Sequence, residues 1–303
     1  MRVATGQFTQ QAIDGINRRT EALQRLQQQI TTGKRINQAS DDPVAAAESE
    51  RIRSTLVTLG IEQRMMTHAT AMLGQADGAL ASGAELLQSA RELLVGAGNG
   101  SYGPEDRAII ALQLTGIRDE LLSVANQSDG AGGYVFGGQG SATPPFTTAG
   151  TPLYQANAGT QQTGIGMSFD TTVDGSRVFI GDGAGATTGS IFASLDTIIG
   201  QLRDPALDNA TLRTALDTAL AATDASLGRV STARTEVGEQ LRALESRGRL
   251  IESGELRATG RLSEIADTDY AAAISEMQTH QLAINAAMQT YAQIARLSLF
   301  DYL

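Results

Sequence analysis

Gly33-Lys34, preceded by Thr31-Thr32, is the first place in the chain where residue types suggest chemistry. A loop that cradles phosphate needs a glycine five residues ahead of such a Gly-Lys pair and a Ser or Thr directly behind it. Position 28 is Gln28 and position 35 is Arg35, so both requirements fail. Gly137-Gly138-Gln139-Gly140 is glycine-rich, but Ser141-Ala142-Thr143-Pro144-Pro145 follows it. A dinucleotide fold needs a helix there, because the helix N-terminus holds the pyrophosphate. The two histidines, His68 and His280, have no companions at metal-ligand spacing, and the chain has no cysteine. That removes disulfides and thiolate metal sites. No serine sits in a Gly-x-Ser-x-Gly elbow. Asp41 and Asp42, like Glu48 and Glu50, are sequence neighbours suited to helix starts, where the macrodipole favours acids. The reading is a protein that is not an enzyme and uses neither cofactor nor metal.

The net charge of −10 argues against nucleic acid, which selects a basic face. Lys34 is the only lysine, and aromatic residues make up 4%. Cores must therefore be built from Ala, Leu, Ile and Val. No apolar run follows Met1–Gln7 as a cleaved signal would require, and none approaches the length of a membrane span. The expectation is a chain that is cytoplasmic or leaves the cell by a route that reads no cleaved signal.

Long helices dominate the pattern. Ile13, Ile16, Leu23, Leu26 and Ile30 fall at three- and four-residue steps, which predicts a helix over about 9–32, with Gly33 just past its end. Asp41-Asp42-Pro43 opens a second helix, with Pro at the first helical position. Ile52, Leu59, Met66, Leu73, Leu80, Leu87 and Leu94 recur every seventh residue. This predicts a gently supercoiled helix packed along its length, roughly 65 Å long. Pro104 starts a third helix with the stripe Ile110, Leu114, Ile117, Leu121 and Val124. From Tyr134 to about Phe192 glycine and threonine take over. Alternation at Ile165, Met167 and Phe169, then Asp174-Gly175, then Arg177–Ile180 predicts a hairpin turning at the aspartyl-glycine. Helix returns after Pro205 with Leu216, Leu220, Leu227, Val230, Val237, Leu241, Leu244 and Ile251, suited to lie antiparallel to the Ile52–Leu94 tract.

After Asp267-Thr268-Asp269 the last helix places Tyr270, Ile274, Met277, Gln281, Ile284, Met288 and Tyr291 on one stripe. From Tyr270 onward only Glu276, Arg296 and Asp301 are charged. A helix this poor in charge is expected to be mobile alone and to order against partners. The candidate assembly interface is therefore Ile13, Ile16, Leu23 and Ile30 packing with Ile274, Met277, Ile284, Met288, Tyr291, Leu297 and Phe300.

Two stretches are more specific. Thr32-Gly33-Lys34-Arg35-Ile36, followed by Ser40-Asp41-Asp42-Pro43, resembles the signature of bacterial flagellins and their hook-associated relatives. Ala97-Gly98-Asn99-Gly100, Asp106-Arg107-Ala108, the Leu114–Leu121 run and Gly133–Gly138 resemble the hook–filament junction members of that family. The resemblance implies an elongated, mainly α-helical rod with a small β insert. It also implies terminal helices that pair and polymerise, and export by the flagellar type III apparatus with a cytoplasmic chaperone on the C-terminal helix. Implied neighbours are the first hook-associated protein proximally, flagellin distally and copies of the chain in a ring, with no nucleic acid and no membrane. Implied localisation is the extracellular flagellum.

The expected division is a terminal assembly domain of residues 1–40 with 265–303, a rod of 41–138 with 191–264, and a β-rich outer insert of 139–190. Three other readings compete with the junction role: a flagellin filament subunit, a secreted enzyme or adhesin acting through the insert, and a cytoplasmic coiled-coil scaffold. The aromatics of the 134–190 stretch (Tyr134, Phe136, Phe146, Tyr154, Phe169, Phe179) and its four charges (Asp170, Asp174, Arg177, Asp182) are thin for ligand work.

Overall fold

The computed structural model describes residues 2–164, 168–181 and 189–300, with side chains described for 10–164, 168–181 and 189–293. It is mainly α-helical with one small antiparallel sheet: α1 Arg2–Thr32, α2 Pro43–Ala97, α3 Pro104–Ala125, β1 Gln162–Thr163, β2 Phe169–Asp170, α4 Ile191–Leu202, α5 Asn209–Ala266 and α6 Tyr270–Phe300. Two compact units result, Met1–Leu59 with Glu252–Leu303, and Gly60–Ile251.

In the Gly60–Ile251 unit the heptad leucines form the core. Leu80, Leu87 and Leu94 are fully buried, and Met66 and Leu73 nearly so. The other buried stripe of α2 is Ala69, Ala76, Gly83, Ala90 and Ala97, also every seventh residue. Large residues at one core position and small ones at the other let neighbouring helices approach closely. Helix α3 supplies Ile110, Leu114 and Leu121, and α5 runs antiparallel to α2. Arg91 pairs with Asp224 at 2.7 Å, Arg234 with Asp77 at 3.0 Å and Arg247 with Glu62 at 2.8 Å, the numbers falling on one helix as they rise on the other.

The buried stripe of α5 is Leu216, Thr223, Val230, Val237, Leu244 and Ile251, with Ser226 beside it. Leu220, Leu227 and Leu241 are half-buried flanks rather than core. Two hydroxyls thus sit among the apolar core positions, and both are satisfied. Thr223 donates to the Ala219 carbonyl at 2.8 Å, and Ser226 accepts from Arg229 at 2.6 Å. A buried hydroxyl without a partner would cost about 1–3 kcal/mol.

Helix α4 is absent from the sequence-based expectation. Ile191, Phe192, Leu195, Ile198, Ile199 and Leu202 form its buried face, and the Ser190 hydroxyl accepts from the Ala193 amide at its N-terminus. The Arg118–Asp196 pair, 3.0 Å, fastens it to α3. Hydrogen bonds to Asp196 and Asp119 raise the basicity of Arg118 against the opposing effect of desolvation, the largest single influence.

The middle region differs from the β-rich expectation. Arg177–Ile180 is not a strand: Ser176–Ile180 is a π-helical turn. Gly175 has φ −61°, whereas a two-residue hairpin of the expected type needs positive φ. Asp174 accepts from the Ser176 amide at 3.0 Å, the Ser176 hydroxyl at 2.6 Å and the Gly159 amide at 2.8 Å, so it caps the turn. Glycine is needed at 175 for another reason, since a Cβ there would lie 2.8 Å from the Phe136 carbonyl. The strand pair is β1 with β2, Gln162 opposite Asp170 and Thr163 opposite Phe169. Ile165 and Met167 lie outside the described residues. Aromatic packing holds the region: Phe146 lies 5.2 Å from Tyr154, 5.6 Å from Phe179 and 5.6 Å from Phe192, edge-on or tilted.

Candidate functional site

Within the unit formed by Met1–Leu59 and Glu252–Leu303, α1 and α6 pack together. A built clasp joins the segments that enter and leave them. Gly33, at φ +70°, ends α1 in the left-handed conformation that glycine adopts without strain. Its carbonyl accepts from the Thr268 amide at 3.0 Å, while the Arg35 amide donates to the Ala266 carbonyl at 2.8 Å. Lys34 and Asp267 face each other across this bridge and pair at 2.6 Å. The Arg35 guanidinium donates twice to the Ile265 carbonyl, at 3.1 and 2.7 Å. Asp41 accepts from the amides of Asn37 and Gln38, and Asp42 caps α2 through the Ala45 amide. The residues that failed as a phosphate loop are therefore the stitching between the two ends of the chain. The Lys34 ammonium, then the Ser263 hydroxyl, hold the Asp267 carboxylate below the usual range. Asp269 opens α6 by accepting from the amides of Ala271 and Ala272.

The predicted interface residues divide. On α1, Ile16, Leu23 and Ile30 are half-buried, Leu26 is buried, and Ile13 is 37% exposed. On α6, Met277 and Ile284 are half-buried, whereas Ile274 is 41%, Met288 54% and Tyr291 37% exposed. The side chains of Leu297 and Phe300 lie outside those described. The inward face of α6 is built around Ala273, Met277, His280, Ala283, Ile284 and Ala287. At 3.6 residues per turn, the large-residue stripe is turned about 60° from that face. Small alanines and His280 meet the rest of the unit, and half of the apolar stripe stays outside, a split that a stripe of large residues does not reveal.

No group of three His, Asp or Glu that could hold a metal exists among the described residues, and none of their helices is long and apolar enough to cross a membrane. Tyr154 has a raised pKa because burial, then Asp174, disfavours its phenolate, but it belongs to the aromatic core and its hydroxyl reaches the Phe136 carbonyl at 3.3 Å.

Comparison with known proteins identifies the chain's family. The pattern of the bacterial flagellin N-terminal helical region matches residues 3–141. Over 99% of both chains, this one is 32% identical to flagellar hook-associated protein 3 of Escherichia coli. The chain belongs to the hook-associated protein 3 family. Similarity to flagellin of Bacillus subtilis is weaker, 29% identity over 93% of each chain. The fold of this family is seen in the flagellar junction protein from Legionella pneumophila, which superposes with a TM-score of 0.60 at 18% identity, covering 72% of this chain and 99% of that one. The clasp and the two-faced α6 are thus features of a family member whose relatives are structural parts of the flagellum.

Proposed function

We propose that this chain is a structural, non-catalytic joint between the flagellar hook and the flagellin filament. Full-length similarity to hook-associated protein 3 supports the place, and the exposed apolar stripe of α6 supports the means. In this reading residues 1–40 with 265–303 form the assembling part, 41–138 with 191–264 the supporting helices, and 139–190 an outward insert. Copies of the chain meet in a ring, with the first hook-associated protein on one side and flagellin on the other. Before assembly the chain leaves through the flagellar export apparatus, with a chaperone covering the C-terminal helix.

The observation that carries the mechanism is the exposure of Tyr270, Ile274 and Met288 along one side of α6. These side chains are already about half covered, so burying the rest in an assembly contributes about 0.7–1.5 kcal/mol each, roughly half the value of a full burial. Met288→Asp tests this directly, because the side chain is already exposed in the free chain and the monomer should tolerate it. The variant should be exported but not incorporated. Normal incorporation would refute the proposal.

A further inference from the structure

Beside the inward face of α6 lies a groove of about 350 Å³ between α1, the segment after Gly33, and α6. Arg25 and Gln28 border it from α1, Glu276 and His280 from α6, and Arg35, Asp41 and Asp42 from the connecting segment. The connecting-segment charges are used locally: Arg35 on the Ile265 carbonyl and 3.6 Å from Asp42, and Asp41 on two amides. The others are not. The side chains of Arg25 and Glu276 have no hydrogen bond or ion pair among the described residues. His280 Nδ1 is buried with no partner. A buried ring nitrogen left unpaired is a cost that the free chain carries.

What fits here must serve a guanidinium, a carboxylate and an imidazole nitrogen together. A charged group would match one of Arg25 and Glu276 and repel the other. A carboxamide can accept from Arg25 and donate to Glu276 or His280. The chain itself carries such a surface. The side of α6 turned away from the groove exposes Gln278, Gln281 and Asn285 among Ile274, Leu282 and Met288, with no charge. Groove and amide face are different surfaces of the same chain. Contacts between unlike surfaces are head-to-tail, and they build closed rings or helical arrays.

We propose that this groove receives the amide-bearing face of α6 from a second copy of the chain, so that Arg25, Glu276 and His280 select the neighbour and set its register. This rests on the assembly role proposed above and adds which surface meets which.

The test is to place the photo-crosslinking residue p-benzoylphenylalanine at Gln28 of the full chain, in flagellated cells, and to analyse purified flagella after illumination. The expected product is an adduct of two copies, with the crosslinked peptide falling between Gln278 and Gln289. An adduct with a different protein, or none although the chain is incorporated, would overturn the groove proposal and leave the assembly role standing. Absence of the chain from flagella would overturn both. As a second measurement, Arg25→Met keeps the apolar stem and removes the donors, so it should lower the yield of the two-copy adduct about tenfold, the effect of losing a hydrogen bond to a charged group. An unchanged yield would remove Arg25 from the site.

Discussion

Gly33→Ala isolates the clasp from everything else in the molecule. At φ +70° an L-residue with a Cβ costs about 1–2 kcal/mol relative to glycine. The new Cβ would also lie 2.9 Å from Tyr270 Oη, closer than such contacts ordinarily come. Tyr270 is 51% exposed, so its ring can swing aside, adding a rotamer cost of about 0.5–1.5 kcal/mol. Together the change should weaken the clasp by about 2 kcal/mol, equivalent to about a 30-fold rise in its opening. Native-state hydrogen exchange reads this locally at the Arg35 and Thr268 amides, whose acceptors are Ala266 and Gly33. In a Tyr270→Phe background the hydroxyl is gone and the nearest ring carbon lies 4.0 Å away, so only the backbone cost should remain. Gly33→Asn should cost less than Ala, because Asn visits the left-handed region more readily. Unchanged protection at both amides would refute the reasoning about Gly33, and an equal penalty with Tyr and Phe at 270 would refute the steric part.

Other consequences follow from the same geometry. Leu80→Ala, at a fully buried heptad position, should lose about 2–5 kcal/mol in urea unfolding, whereas Leu282→Ala, 71% exposed, should stay within about 0.5 kcal/mol. Ile284→Asp puts a carboxylate on the half-buried inward face of α6, where burying a charge costs several kcal/mol, so it should lower the thermal unfolding midpoint of the free chain; an unchanged midpoint would count against the packing of Ile284 inside the unit. Asp267 has a depressed pKa, so its contribution is present above the ordinary carboxylate range and is lost as pH falls through its folded value. Both partners are about 40% exposed or more, which limits the effect to less than about 1 kcal/mol. Lys34→Ala should raise the Asp267 titration midpoint followed by NMR, and an unmoved midpoint would show that Lys34 does not set it.

Legibility followed the strength of the periodic signal. The Met66–Leu94 repeat lies on the core because seven-residue spacing of large apolar side chains has one geometric solution. On α5 the repeat is there too, but Thr223 and Ser226 fill core positions, and the apolar residues alone point to Leu220 and Leu227. Helix α4 has six apolar residues at helical spacing and a serine cap, yet the glycine- and threonine-rich stretch before it hid its start. Asp174-Gly175 looked like a hairpin turn, and the deciding facts, Phe136 packed against Gly175 and Asp174 capping three donors, are tertiary. The clasp was visible as a motif but not as a structure, because Lys34 and Asp267 are distant in sequence. For α6, alanines decide the inward face, and a small residue at a close approach carries little signal in a pattern of large ones.

This chain occupies one place in the flagellum, between hook and filament. Immunogold labelling of the native protein on intact flagella tests it most directly. One narrow band at the junction is expected. Label along the whole filament would contradict it and make the chain a filament subunit.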